Sequence, residues 1–253
     1  MRVAADNLSG GHPALAQALR ELNPGPFQDL ARRCQAAGAE LLDLNPGYLS
    51  RRHEDRLAFL VEAVQEVTSL PLILDSPQPR VLARALPYCR ENPILNALTL
   101  EEEKLEEILP LARDYRTPLV LLLLDARSFS PPTLEEKIAL ALELREHAVA
   151  AGLKDQELIY DPVLPNLSWP DASARLGEAV KTVRALAEGT ILGEPAATMA
   201  GLSNLRSGLR NRFPVEIDTT ALALLAGAGL GFILADVLQP KIMETFRLVK
   251  TMI

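Results

Sequence analysis

The feature that most constrains the fold of this chain is a regular alternation of short apolar segments with longer amphipathic ones. Between Leu57 and Val64, for example, apolar residues recur at positions i, i+3, i+4 and i+7, which is typical of one helical face. Strands that alternate with helices indicate a parallel sheet with right-handed crossovers. The apolar segments are predicted to be strands and span residues 2–5, 40–45, 71–75, 93–97, 118–125, 157–161, 197–202 and 231–236.

Eight such units in 253 residues predict a single α/β domain, residues 1–253, folded as a (β/α)8 TIM barrel. A doubly wound open sheet is the alternative arrangement of the same units. A Gly-x-Gly-x-x-Gly motif after the first strand would support a dinucleotide site in such a sheet, and the sequence has none there.

Local signals add detail to this architecture. The sequence TLEE occurs at 99–102 and again at 133–136, which predicts two helix-capping boxes. Pro110 lies inside a helical pattern and predicts a kink or a break there. The apolar segment 219–235 is shorter than a membrane span and is interrupted by glycines, so it predicts a buried helix, a glycine turn and a buried strand.

Composition limits the classes of function. The net charge of −7 argues against binding to nucleic acid, whose phosphates need a basic surface, and against adsorption to anionic lipid. The first residues lack the apolar stretch of a signal peptide, so we expect a soluble, cytoplasmic protein. Cys34 and Cys89 lie on predicted apolar helix faces and are too few for a disulfide framework, which predicts reduced core thiols.

Carboxylates and carboxamides stand at the ends of nearly all the predicted strands. In a TIM barrel the active site forms at these carboxyl ends, so the side chains are predicted to converge on one rim. Some could act only as helix N-caps, but aligned carboxylates repel one another unless a group with hydrogen-bond donors lies among them. The candidates are Asp6, Asn7, Asp43, Asn45, Asp75, Asn96, Asp125, Asp161, Ser203 and Asn204.

The residue types at this rim favour one class of ligand. Carboxylates bind hard cations, but a catalytic zinc ion usually needs His or Cys, and none stands at a strand end, so no metal site is predicted. A phosphate prefers backbone amides, Arg or Lys. A flat heterocycle with several N–H donors pairs well with Asp, and its carbonyl and ring nitrogens pair with Asn. A pterin has both kinds of group.

With these residues, the chain resembles the methyltetrahydrofolate:corrinoid (iron–sulfur) protein methyltransferases of the pterin-binding TIM-barrel superfamily, which also includes dihydropteroate synthase. The resemblance covers nearly the whole chain and depends on short segments in a fixed order. These segments are NPGPFQDLARRCQAAGAELLDLNPG (23–47), LPLILDS (70–76), ILNA (94–97), EEKLEEILPLA (102–112), IYDPVLP (159–165) and GLSN (201–204).

The resemblance implies individual roles. Asp75, Asn96 and Asp161 would hold the pyrimidine edge of the pterin, and Asn204 would be the catalytic residue near N5, the nitrogen that carries the methyl group. An amide acceptor there can stabilise a proton that develops on N5 in the transition state. Methyltetrahydrofolate would be the substrate, and the methyl group would pass to or from the cobalt of a corrinoid on a partner protein. The further substrate-binding residues would be Asp6, Asn7, Asp43, Asn45, Asp125, Ser203 and Arg212.

The chain also departs from the family pattern. Asp6, Asn7 and Ser9 stand where the family has Glu, Arg and Asn, which leaves open a folate-binding or corrinoid-interacting protein without turnover. Dihydropteroate synthase is a lesser alternative, because that family has Ser-Arg-Lys after strand 7 and Arg-x-His after strand 8. This chain has SNLR (203–206) and ILADVLQP (233–240) there.

Two further expectations concern the surface. Arg206 and Arg210 are interpreted as solvent-facing, in contrast to Arg212. Apolar helix faces allow a homodimer.

Overall fold

The structure, a computed structural model, describes residues 1–209 and 213–253. Within these residues, eight parallel strands pair in chain order and close into a barrel, with β1 hydrogen-bonded to both β2 and β8. This confirms the predicted TIM barrel. The strands are β1 (Arg2–Ser9), β2 (Leu41–Asn45), β3 (Leu72–Asp75), β4 (Ile94–Leu98), β5 (Leu119–Leu122), β6 (Leu158–Asp161), β7 (Ala197–Gly201) and β8 (Phe232–Ala235).

The helices surround the barrel and cover its outer face. Among the described residues, two α-helices follow β1, two follow β7, and one α-helix follows each of the other strands. The described helices are α1 (Pro13–Glu21), α2 (Gly25–Ala37), α3 (Arg56–Gln65), α4 (Pro79–Ala85), α5 (Glu102–Tyr115), α6 (Leu134–Ala150), α7 (Ala172–Ala187), α8 (Ser203–Arg206), α9 (Glu216–Gly227) and α10 (Pro240–Lys250).

The interior of the barrel is built in two layers. Because side chains alternate between the faces of a strand, every second residue points inward. One inward layer is apolar and consists of Ala4, Leu41, Ile73, Ile94, Val120, Ile159, Met199 and Leu234. Two residues further along each strand, toward the carboxyl ends, the same alternation puts Asp6, Asp43, Asp75, Asn96, Leu122, Asp161, Gly201 and Asp236. The strand register thus places a mostly polar layer on top of an apolar one.

Helix starts and interruptions differ in part from the predictions. Thr133 and Glu136 form the predicted capping box of α6. The first TLEE segment does not cap a helix: α5 begins only at Glu102, and the Thr99 hydroxyl donates a hydrogen bond of 3.1 Å to the Glu101 carboxylate instead. The expected break at Pro110 is absent as well, because α5 runs through it with buried side chains on both sides that pack against the core.

Other local predictions are confirmed. Segment 219–235 contains the end of α9, a turn at Gly229 with φ of 92°, and β8. Cys34 is buried and Cys89 is half-buried, and both are free thiols. Burial raises the pKa of Cys34 to about 12 and that of Cys89 to about 11, so both thiols stay protonated at neutral pH. In the described parts of the chain, no helix is long and apolar enough to cross a membrane.

Candidate active site

A cavity of about 730 Å³ opens at the carboxyl ends of the strands. This volume lies in the range of small-molecule sites, which spans roughly 300–1,000 Å³. The structure brings nine of the sequence-predicted residues together in its wall. They are Asp6, Asn7, Asp43, Asn45, Asp75, Asn96, Asp161, Ser203 and Asn204.

Asp125, another predicted residue, is not in this wall. Strand β5 ends at Leu122, which lines the cavity, and Asp125 lies three residues further on in a loop. There its carboxylate accepts the backbone N–H groups of Phe129 and Arg127, each at 2.9 Å, and these bonds lower the pKa of Asp125. Asp125 therefore organises its own loop instead of facing the cavity. Arg212 lies outside the described residues, and so does Arg210, which was interpreted as solvent-facing.

Asp75 and Asn45 form a fixed pair on adjacent strands. The Asn45 carbonyl oxygen accepts the Gly47 N–H at 2.8 Å, which turns the Asn45 amide toward Asp75. Burial raises the pKa of the Asp75 carboxyl to about 6, although the hydrogen bond from Asn45 lowers it in part. At neutral pH Asp75 is thus largely ionised and available as an acceptor.

Asp43 is a buried carboxyl in the wall of the cavity. Its side chain is only 3% exposed, and no hydrogen-bond partner for Oδ1 exists in the described structure. Burial raises the pKa of Asp43 well above its ordinary value, and the charges of Asp75 and Asp6 raise it further. A buried carboxyl oxygen without a partner is unfavourable, so this position favours a hydrogen-bonding group of a bound molecule.

Asp161 ends β6 and is also buried. Its Oδ1 accepts the backbone N–H of Val163 at 2.8 Å, and Val163 adopts a left-handed conformation with φ of 59°. Burial raises the pKa of Asp161 to about 7, and the charge of Asp75 adds to this rise. The hydrogen bond from Val163 and the positive charge of Lys137 act in the opposite direction.

The turn after β7 carries two further residues of the cavity wall. Ser203 and Asn204 begin the short helix α8 and line the cavity with their side chains. The turn is held from two sides, since Leu202 N–H donates to the β8 carbonyl of Leu234 and Leu167 N–H donates to Leu205, both at 2.9 Å. Asn204 is therefore presented to the cavity by an anchored turn.

Sequence reasoning missed the role of Arg206, and its interpretation as solvent-facing was wrong. Its guanidinium donates to the buried Asp218 of α9 at 2.9 Å from Nε and binds the Pro214 carbonyl at 2.9 Å. No local pattern in the sequence indicated this pair, because its members are twelve residues apart.

Asp236 was also missed as a rim residue, although it follows an apolar segment as the other rim carboxylates do. Its Oδ1 accepts the Asn7 amide at 2.6 Å, and the Asn7 carbonyl accepts Val237 N–H at 3.1 Å. Asn7 is thus engaged in joining β1 to β8 at the barrel closure.

An eight-stranded parallel barrel with a polar cavity at the carboxyl ends of its strands is the architecture of TIM-barrel enzymes. The chain belongs to the pterin binding enzyme family, whose model matches residues 18–232.

Two curated relatives are similar to this chain over most of its length. The methylcorrinoid:tetrahydrofolate methyltransferase of Eubacterium limosum is 26% identical over 229 residues, which cover 90% of this chain and 82% of that protein. The methionine synthase of Mycobacterium leprae is 24% identical over 208 residues, which cover 80% of this chain but only 17% of that protein. The second match therefore concerns a small part of a much longer chain.

Solved structures show the same fold. A dihydropteroate synthase of Xanthomonas albilineans in complex with indole-2-carboxylic acid and 6-chloroguanine superposes with a TM-score of 0.73 at 19% identity, covering 99% of this chain and 91% of that one. The dihydropteroate synthase of Yersinia pestis with a sulfonamide drug complex gives a TM-score of 0.71 at 19% identity, covering 99% and 93%. At these identities the likeness establishes the barrel and not the reaction.

Proposed function

We propose that this protein is a methyltransferase that moves the N5-methyl group between methyltetrahydrofolate and the cobalt of a corrinoid protein. The observation that carries the proposal is the convergence of acceptor groups from separate strands on one cavity, with the amide of Asn204 in the same wall. The similarity to a methylcorrinoid:tetrahydrofolate methyltransferase over 90% of the chain supports the same reaction.

The pyrimidine edge of a pterin matches the acidic side of the cavity. That edge presents an exocyclic amino group and a ring N–H, and it needs acceptors. Asp75 and Asp161 supply carboxylates that are at least partly ionised near neutral pH, and Asp43 supplies the unpartnered oxygen. Asn96, which pairs with Asp75 in the strand register, supplies an amide that can both donate and accept.

Asn204 is proposed to act at the reacting end of the folate. When the methyl group leaves, the N5–carbon bond breaks and its electron pair stays on N5, which must gain a proton to be a good leaving group. The Asn204 carbonyl oxygen can accept a hydrogen bond from that N5–H as positive charge develops. Such a bond accelerates the reaction only as far as it strengthens between the ground state and the transition state.

The methyl acceptor or donor is proposed to be a corrinoid held by a partner protein. The bond that forms in the folate-to-corrinoid direction is the one between cobalt(I) and the methyl carbon, and it takes both electrons from cobalt. The residues of this chain then have three tasks: to hold the pterin, to orient N5 and to stabilise its proton.

The decisive experiment has two stages. Calorimetry with methyltetrahydrofolate should show stoichiometric binding, and anaerobic mixing with free cob(I)alamin should then give methylcobalamin and tetrahydrofolate. Binding without transfer, to free cob(I)alamin or to a corrinoid protein, would favour the alternative of a folate-binding protein. That alternative is suggested by the strand-1 departures, among which Asn7 is engaged with Asp236 and Val237. Condensation of a dihydropterin pyrophosphate with 4-aminobenzoate would instead identify a dihydropteroate synthase.

A further inference from the structure

Lys137 is a buried ammonium group that does not line the cavity. It lies on α6, is only 1% exposed, and its Nζ donates to the Ser130 hydroxyl at 2.5 Å and to the Pro162 carbonyl at 2.6 Å. Both acceptors are neutral, and burying a charge without a directly bonded counter-ion is unfavourable. Burial accordingly lowers the pKa of Lys137 to about 8. Such an unfavourable buried charge indicates a specific role for Lys137.

The position of the two hydrogen bonds that Lys137 donates indicates this role. Pro162 directly follows Asp161, so the carbonyl that Lys137 holds is one peptide beyond the carboxylate-bearing residue. The next N–H along the chain, that of Val163, donates to Asp161 itself. The Pro162 carbonyl and the Val163 N–H, two successive groups at the end of β6, are thereby fixed. Val163 is in a left-handed conformation that residues other than glycine rarely adopt.

We propose that Lys137 is a positioning residue for Asp161. It orients the carboxylate by holding the Pro162 carbonyl, and its charge keeps that carboxylate in the ionised form that accepts N–H donors. The use of Asp161 for a pterin rests on the proposed function, whereas the coupling between Lys137 and Asp161 does not.

The charges around Lys137 and Asp161 support the proposal that Lys137 keeps Asp161 ionised. The charge of Lys137 lowers the pKa of Asp161, and that of Asp75 raises it from β3. Lys137 itself faces Asp161, Arg175 and Glu178 of α7, and Glu136 of its own helix. Arg175 is neutralised in part by Asp171 at 2.6 Å. Among the described residues whose charges shift the pKa of Asp161, Lys137 is the cation and Asp75 the anion.

The direct test measures the Asp161 carboxyl in the ligand-free protein by carbon-13 NMR titration, assigned with Asp161→Asn. In Lys137→Met the Asp161 pKa should rise by roughly one unit, the lower end for losing a nearby opposite charge. Lys137→Arg should leave it nearly unchanged. The matched control is Lys181→Met, which removes an exposed lysine of α7. An Asp161 pKa that is the same in Lys137→Met as in the wild type would overturn the proposal.

A reciprocal measurement tests the coupling between Lys137 and Asp161 even if Lys137→Met does not fold. The coupling of two titrating groups is mutual, so each shifts the pKa of the other by the same amount. In Asp161→Asn the pKa of the Lys137 ammonium, followed by nitrogen-15 NMR, should therefore fall by roughly the same one unit. An unchanged lysine pKa would contradict the coupling.

Ligand affinity then links the coupling to the proposed function. In Lys137→Met the decline of methyltetrahydrofolate affinity toward acidic pH should begin roughly one unit higher, with up to about tenfold weaker binding at pH 7. Near pH 9, where Lys137 has lost its own charge, the difference between the two proteins should shrink to what the lost hydrogen bond to the Pro162 carbonyl contributes. An unmoved profile beside a shifted Asp161 pKa would refute the ligand-binding role of the charge. A wild-type protein that binds no folate would refute the proposed function, with the NMR result still deciding the coupling.

Discussion

The side-chain amide of Asn45 donates a hydrogen bond of 2.7 Å to the carboxylate of Asp75, and this bond joins the ends of two neighbouring barrel strands. A hydrogen bond from an amide favours the ionised carboxylate, whereas burial disfavours it. Burial is the stronger effect, because the pKa of Asp75 is raised to about 6 from an ordinary value of 3.8. An ionised Asp75 is therefore unfavourable for the ligand-free fold.

This balance predicts the effect of Asp75→Asn on stability. Above pH 6 the folded protein holds an ionised Asp75 that would be better solvated in the unfolded chain, so the variant should gain about 1–2 kcal/mol in the free energy of unfolding, discounted for solvent in the cavity. The gain should shrink as the pH falls from 6 to 3.8, and vanish below 3.8, where Asp75 is protonated in both states. Urea denaturation at pH 8 and pH 4, with the exposed Asp29→Asn as control, measures it. An equal gain at both pH values would contradict the assignment.

Asn204→Ala should slow methyl transfer by roughly tenfold to a thousandfold, the range for losing one transition-state hydrogen bond. Single-turnover mixing of the methyltetrahydrofolate complex with cob(I)alamin gives this rate directly. Asn92→Ala is the control, because Asn92 binds the Arg116 carbonyl at the opposite end of the barrel. If both variants transfer the methyl group at the wild-type rate, Asn204 has no part in the chemistry.

Asp161→Ala should weaken methyltetrahydrofolate binding by about 1–3 kcal/mol, because it leaves N–H donors of the ligand without an acceptor. Asp125→Ala is a matched control, since Asp125 bonds within its own loop outside the cavity. Calorimetry at pH 8, where the Asp161 carboxylate is mostly ionised, separates the two. An equal loss of methyltetrahydrofolate affinity in both variants would contradict the placement of Asp125 outside the site.

Arg206→Met should destabilise the protein by about 2–3 kcal/mol, because it leaves the buried Asp218 carboxylate without its partner. Adding Asp218→Asn to it should recover part of the loss. Since α8 carries both Asn204 and Arg206, the single variant should also slow methyl transfer. The exposed pair of Arg145 and Asp155 provides the control, and Arg145→Met should cost less than about 1 kcal/mol. Urea denaturation that shows no difference between these two single variants would contradict the prediction.

The barrel could be predicted because its pattern is local. Each strand is a short apolar segment bounded by Gly, Pro or a polar residue, and each rim carboxylate follows directly in sequence, as Asp75 and Asp161 do. The prediction failed for β5 because PLVLLLLD is apolar throughout, so nothing in it marks that the strand ends at Leu122 and not at Asp125.

Features that depend on distant partners could not be predicted. The two TLEE segments are identical, yet of their two threonines only Thr133 caps a helix. Near Thr99 the helix begins later, so Glu102, the glutamate that would complete the capping box, is already the first helical residue. Lys137 follows two glutamates and looks like an exposed helix residue. Its burial arises from the loops after β5 and β6, which close over it.

The layered interior of the barrel has a practical consequence for protein engineering. The residues that fill the barrel interior, such as Ile73 and Met199, are separate from those that line the cavity, such as Asp75 and Asn96. A randomised library confined to the upper positions, with Asp236 kept, would leave the apolar layer untouched, together with the Asn7–Asp236 bond that joins β1 to β8. New heterocycles could then be selected on an unchanged scaffold.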